Sequence, residues 1–413
     1  MNAVTGRPAV AERYDALLID LDGVVYRGDE VIPGAEALRE VRRMGPRTLF
    51  LTNNSSKSPA HVADKLARLG VQAAPEEILT SGVATATMLR REGFGGASAF
   101  VVGENGLREA LTAAEIRILD GQPLAAELVV VGWDRSVDYE KLRTASLLVQ
   151  RGARLVATNA DASYPAPDGL WPGAGAILSS ITTTTGVTPT VVGKPHRPMF
   201  DAAIELTGAK APLVVGDRLD TDIAGAMAMG WDSLLVFSGA ANPSELMWSD
   251  RVPTYVANDL TGLLGDPPAG RFRDATADDA TAIGTLLRSA GLSDEGLLER
   301  LRSTTVCDDA EGLPAATACL EATDGYGILR SVAVREDARA RGLGMLAVAA
   351  AARRAKGLGI VHISLFTEWA EPFFERLGFR KLTREELPEP VRGSRRGAMD
   401  CAASATAMAI TTV

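Results

Sequence analysis

The chain has 413 residues, more than one ordinary domain needs and enough for two or three. Its 43 basic and 52 acidic residues leave a net charge of −9, which argues against nucleic acid as the main partner, and its 46% hydrophobic content is that of a globular protein. No apolar run approaches the roughly 20 residues of a membrane span, residues 1–12 lack the apolar core of a secretory signal, and neither the cysteines (Cys307, Cys319, Cys401) nor the histidines (His61, His196, His362) show a metal or redox spacing, so a cytoplasmic protein without membrane attachment is expected.

In chain order the first strong signal is Ala16-Leu17-Leu18-Ile19-Asp20-Leu21-Asp22-Gly23, an apolar run closed by two aspartates at i and i+2. Such a run, ended by a turn signal, predicts a buried parallel strand. Strand alternation sends Asp20 and Asp22 to one side. Held that close, both cannot stay ionised unless a cation or a shared proton compensates, so the stretch itself predicts a divalent metal. A helix over 35–44 with Leu38 and Val41 inward, a strand over 48–51 stopped by Thr52-Asn53-Asn54-Ser55, and a helix over 60–69 with Val62, Leu66 and Leu69 on one stripe follow. This rhythm marks a parallel sheet with right-handed crossovers.

Between 82 and 185 the rhythm restarts, with strands at 98–103, 128–132 and 154–158 and a helix over 139–151 that turns Leu142, Leu147 and Leu148 inward. The block is long enough for a small inserted α/β domain. The first rhythm then resumes: a strand at 190–192 before Gly193-Lys194-Pro195, a helix over 199–207, and a strand at 212–215 running into Gly216-Asp217-Arg218-Leu219-Asp220-Thr221-Asp222. The expected organisation is a first domain over 13–81 and 186–265, an inserted cap over 82–185, a linker at 266–270 (Asp-Pro-Pro-Ala-Gly), a second domain over 271–390, and a disordered tail over 391–413 whose Arg392, Arg395 and Arg396 are solvated.

Four strand ends carry compatible chemistry: Asp20 with Asp22, Thr52 with Asn53, Lys194, and Asp217 with Asp222. Carboxylates for nucleophilic and acid/base work, a hydroxyl and an amide, one ammonium and an all-oxygen donor set suit phosphoryl transfer with Mg2+. In order and context these four motifs resemble the haloacid dehalogenase superfamily of phosphatases. The runs Gly23-Val24-Val25-Tyr26-Arg27-Gly28 and Gly132-Trp133-Asp134-Arg135 are similar to the subfamily with a large cap. The resemblance implies a Rossmann-like core, Asp20 as nucleophile and Asp22 as acid/base. It implies Mg2+ held by Asp20, Asp217 and the Asp22 carbonyl, phosphate held by Thr52, Asn53 and Lys194, and Asp222 orienting Lys194 or a metal-bound water. Asp220 is expected to be structural. A cap loop, Asn159 to Pro165, is expected to influence substrate choice. Relatives acting on pyridoxal phosphate carry a histidine near Tyr164, so small phosphorylated metabolites of other kinds lead. A homo-oligomer through the cap is a further expectation.

Beyond 270 the elements change: a helix over 281–290, strands over 315–322 and 327–334, the turn Arg339-Ala340-Arg341-Gly342-Leu343-Gly344, an alanine-rich helix through 356, a strand over 361–366 and a short helix over 369–377. Backbone N–H groups at such a helix start suit a pyrophosphate. The turn, together with Phe373-Phe374-Glu375-Arg376-Leu377-Gly378-Phe379, resembles the Gcn5-related N-acetyltransferases. That implies an α+β fold and acetyl-CoA binding through Val334, Arg339, Gly342 and Gly344. Phe374 stands where many such enzymes carry a tyrosine acid, and phenylalanine has no proton to give. The pairing of the two modules resembles actinobacterial glycerol 3-phosphate phosphatases, which implies glycerol 3-phosphate as substrate with phosphoglycolate as the alternative. It also leaves two readings of the second module, an acyl-CoA sensor or an active N-acetyltransferase.

Overall fold

The computed structural model describes residues 7–166, 168–393 and 405–411. Contacts divide the chain into two compact units, residues 11–233 with 259–264, and residues 1–10, 234–258 and 265–413. No helix among the described residues is long and apolar enough to cross a membrane.

The first unit is built on the strand Ala16–Asp20, buried along its whole length. A strand covered on both faces needs a continuous apolar run rather than an alternation. It pairs in parallel with Pro212–Gly216 on one side and Arg47–Thr52 on the other, so that Ile19 lies opposite both Val215 and Phe50. Ile78–Thr80, absent from the sequence reading, follows beyond Arg47–Thr52. The crossovers are helices of the expected amphipathic kind. Ala37–Met44 buries Leu38 and Val41 and stops at Gly45, while Pro59–Arg68 buries Val62 and Leu66 and leaves Leu69 outside as its cap.

A second parallel sheet in the same unit has the order Thr190–Val191, Arg154–Ala157, Leu128–Val131, Ser98–Val102, Arg117–Leu119. Two expectations change here. The strand at 190–191 belongs to this cap sheet and not to the first one, with Thr190 paired to Val156. Helix Tyr139–Gln150 buries Ala145, Leu148 and Val149 rather than Leu147. One apolar cluster contains Leu18, Leu49 and Leu79 of the first sheet together with Ala99, Val101 and Leu128 of the second. The cap therefore shares a core with the domain it is inserted into.

The second unit contains a seven-stranded sheet, ordered Phe272–Asp274, Thr304–Asp308, Pro314–Thr323, Tyr326–Val334, His362–Thr367, Thr406–Thr411, Arg380–Leu382. Its pairs are antiparallel except Tyr326–Val334 with His362–Thr367, whose register covers only Gly327 with Ile363 and Ile328 with Ser364. Beyond that point the two strands part. The helix Leu343–Gly357 packs on this sheet through an alanine face that includes Ala347, Ala351 and Ala355, and it packs also against the helix Pro243–Trp248. Small side chains permit such close approach of helix and sheet.

Two more expectations are corrected in this unit. Residues 266–270 are not a free linker: Pro267, Pro268 and Gly270 are buried, and the Gly270 N–H donates to the Thr254 carbonyl at 2.8 Å. The region 391–413 is not wholly disordered, because Thr406–Thr411 is a strand inside the sheet with Met408 fully buried. Arg392 is exposed; Arg395, Arg396 and Cys401 lie outside the described residues.

Candidate active site

Parallel strands deliver their carboxyl ends to one edge of a sheet, which is where α/β folds place ligands. Ala16–Asp20 ends on Asp20, Arg47–Thr52 ends on Thr52, and Pro212–Gly216 runs into Asp217. Lys194 reaches the same place from the other sheet, three residues beyond Val191, with Val192 and Gly193 between them.

There the Lys194 ammonium donates to Asp20 Oδ1 at 2.6 Å and to Asp222 Oδ1 at 2.7 Å, with all three residues buried. Burial works against the charged amine, but Asp20 and Asp222 outweigh it and hold Lys194 above its ordinary pKa. Burial also raises Asp20; Lys194 opposes this, while Asp222 and Asp217 add to it. Asp222 further accepts from the Arg218 N–H at 3.3 Å and from the Thr221 hydroxyl at 3.2 Å. Its approach depends on Gly216, where a Cβ would stand 2.1 Å from the Asp222 carboxyl carbon. Asp220 points its charge elsewhere, to Arg218 at 2.8 Å on the exposed side of the turn.

Asn53 and Thr52 take up the flank. The Asn53 amide donates to the Lys194 carbonyl and to Asp161 Oδ2, both at 3.0 Å, and Asn159 donates to the same Asp161 oxygen at 2.8 Å. Asp161 thus ties the cap to the Asn53 loop, a role that its place in the cap loop did not announce. The buried Thr52 hydroxyl accepts from the Asn54 N–H at 3.1 Å.

Asp22 lies two residues beyond the end of the strand, just before the turn that Gly23 opens. Burial raises its pKa, and Lys65, Lys194 and the Tyr26 hydroxyl lower it. Over this side the cap contributes Tyr164, stacked on Trp133 with ring centroids 4.5 Å apart. Burial and then the charge of Asp22 raise the Tyr164 phenol. The Arg135 guanidinium covers the other aromatic at 5.4 Å and is paired with Glu104 at 2.7 Å.

Asp20, Asp217 and Asp222 offer carboxylate oxygens that lie within 4.8 Å of one another. These three carboxylates face one ammonium, leaving two negative charges in a buried place. A divalent cation would balance that excess, and an all-oxygen donor set fits Mg2+ better than a softer metal.

The residues expected to hold acetyl-CoA lie in the second unit. Gly342 begins the helix Leu343–Gly357 with φ +84°, and a Cβ there would fall 2.2 Å from the side chain of Val256. Arg339 donates to the Val334 carbonyl at 3.1 Å. A Cβ on Gly344 would touch the Phe373 ring at 3.4 Å. Phe374 is buried and meets Phe373 and Phe379 edge-on, at 5.0 and 5.6 Å between centroids.

Comparison with known proteins agrees with both folds. Profiles described as haloacid dehalogenase-like hydrolase and HAD-hydrolase-like match residues 17–117 and 191–263, and an acetyltransferase (GNAT) domain matches 302–381. The chain is 38% identical over 258 residues to an acid sugar phosphatase of Staphylococcus haemolyticus, covering 62% of this chain and 97% of that protein. Glycerol phosphate phosphatase Rv1692 from Mycobacterium tuberculosis, solved in complex with magnesium, is similar with a TM-score of 0.70 and 28% identity, over 90% of this chain and 99% of that one. A p-nitrophenyl phosphatase from Archaeoglobus fulgidus gives a TM-score of 0.56 and 34% identity over 60% of this chain and 97% of that one. On the motifs that meet at this sheet edge and on these likenesses, the chain belongs to the haloacid dehalogenase-like hydrolases and carries a GNAT domain towards its C-terminus.

Proposed function

We propose that the chain is a Mg2+-dependent phosphatase of small phosphorylated metabolites, with glycerol 3-phosphate as its first substrate. The observation that carries this reading is the buried Lys194 ammonium held between Asp20 and Asp222, with Asp217 alongside and Asp22 two residues from Asp20. The ion would be held by Asp20, Asp217 and the Asp22 carbonyl, and would supply charge neutralisation of the transferring phosphoryl group. Asp20 attacks phosphorus as its carboxylate, and the bond to the ester oxygen breaks as the aspartyl-phosphate forms. Asp22 gives its proton to the departing alkoxide, then takes one from the water that attacks the same phosphorus and frees Asp20. Lys194 and the Thr52 and Asn53 side chains stabilise the phosphoryl oxygens, with Asp222 fixing Lys194. The Mycobacterium likeness supports glycerol 3-phosphate, since it spans both modules; the acid sugar phosphatase supports a sugar phosphate and phosphoglycolate is the third choice. The test is phosphate release over these substrates with and without Mg2+. No release from any of them sinks the phosphatase; release from another substrate at far higher kcat/KM sinks the first choice alone.

For the second module we infer acyl-CoA binding without acetyl transfer. The family likeness of this unit supports the binding, and Phe374, packed against Phe373 and Phe379, has no proton to give to a leaving thiolate. Titration with acetyl-CoA by calorimetry tests it, and heats no larger than dilution would sink it.

A further inference from the structure

Lys65, on the helix Pro59–Arg68, is a cation without an ion pair among the described residues. Its ammonium stands 3.7 Å from the centroid of the Tyr26 ring. Tyr26 is 5% exposed, so the ring has little freedom to move. Its hydroxyl lies 3.5 Å from Asp22 Oδ2, close enough to engage that oxygen with a small adjustment. The backbone closes the same turn: Gly23 N–H donates to the Tyr26 carbonyl at 2.8 Å, and the Val25 and Tyr26 N–H groups donate to the Leu21 carbonyl at 2.9 and 3.2 Å. Asp22 is therefore carried on a turn whose far end returns to it through a phenol. A cation on the ring face draws electron density from the phenol and makes its O–H a stronger donor.

We infer that Lys65 and Tyr26 form a positioning pair for Asp22: the ammonium clamps the ring, and the phenol occupies one carboxyl oxygen so that the other is kept for proton transfer to the leaving group. Neither residue touches substrate in this account. The inference rests on the phosphatase reading and on Asp22 as its acid. It predicts a dependence on the leaving group. An alkoxide cannot depart without the proton that Asp22 delivers, whereas 4-nitrophenolate is stable enough to leave with little help. The quantity to follow is kcat/KM, which reports formation of the aspartyl-phosphate and not its later hydrolysis.

The experiment measures kcat/KM with Mg2+ for 4-nitrophenyl phosphate and for the best of three alkyl phosphates (glycerol 3-phosphate, phosphoglycolate, a hexose 6-phosphate). It uses the full chain and its Tyr26→Phe, Lys65→Met and Lys65→Arg variants. The alkyl-to-aryl ratio should fall about ten-fold in Tyr26→Phe and in Lys65→Met, a part of the roughly 10²–10⁴-fold that acid–base catalysis supplies. A Tyr26→Phe/Lys65→Met double variant should be no worse than the poorer single one, and Lys65→Arg should keep most of the ratio. An unchanged ratio, or equal loss on both substrates, overturns the pair. A wild-type chain inert on all of these esters overturns instead the phosphatase reading beneath it.

Discussion

Three glycines mark the two expected sites, and their open sides are filled in opposite ways. At Gly216 the space that a Cβ would need is taken by the Asp222 carboxyl, and the result is a buried charge braced against Lys194. At Gly342 the space is taken by Val256, an apolar residue of the strand Tyr255–Ala257, and at Gly344 by the Phe373 ring. A charged group brought into a buried niche costs desolvation and is kept only where several partners compensate it. An apolar group in the same kind of niche contributes burial and asks for nothing. The contrast sets a buried charge against Gly216 and apolar packing against Gly342 and Gly344.

The largest expected effect lies at the charged niche. Asp20→Asn removes the nucleophile while leaving Lys194 its second partner, so phosphate release should fall by at least about 10³-fold with a folded protein by circular dichroism. Retained turnover would remove Asp20 from its role. Lys194→Met leaves Asp20 and Asp222 facing each other unpaired, which should cost about 3–5 kcal/mol in denaturant unfolding together with most activity. If stability is unchanged without metal, the ammonium is not what holds the carboxylates together. Chelation with EDTA should silence the enzyme and added Mg2+ should restore it; full activity in EDTA would leave the anionic cluster without its proposed cation.

Smaller effects test the apolar niche. Replacing Gly344 by valine should weaken acetyl-CoA binding about ten-fold in calorimetry, a change of about 1.4 kcal/mol. Unchanged affinity would place the ligand elsewhere in the module. The smallest effect is a titration in the same unit. Burial raises Asp309, but the Leu313 and Glu311 N–H groups and the Arg335 guanidinium at 2.7 Å outweigh it and bring it down to about 2. A carboxyl depressed by folding contributes stability that is complete above its unfolded pKa and is lost as pH falls through its folded one. Wild type should therefore lose stability between about pH 4 and 2, and Asp309→Asn should lose less over that interval. Parallel acid curves would exclude Asp309 as a contributor.

The charged site was largely legible because its parts sit at strand ends, and a strand end is visible as an apolar run that stops. Asp20, Thr52 and Asp217 each follow such a run directly. Sheet membership was not legible, since two parallel sheets write the same apolar runs; Thr190–Val191 reads equally well in either and pairs with the cap. Tyr26 and Lys65 could not be joined, because their relation depends on how a turn and a helix 39 positions apart meet. Thr406–Thr411 escaped for a different reason. Its alternation of Thr, Ala, Met, Ala and Ile is diluted by the small residues before it, and its partners lie at His362–Thr367 and Arg380–Leu382.

That strand also fixes an order of events in the cell. Synthesis yields residues 362–367 and 380–382 first, and both must then wait for the segment that lies between them. Until residue 411 has cleared the ribosome, two open strand edges stand where one filled gap will be, a hazard for nascent chains. A premature stop anywhere between 383 and 405 would spare every residue proposed for catalysis and still leave a protein prone to stick to its neighbours.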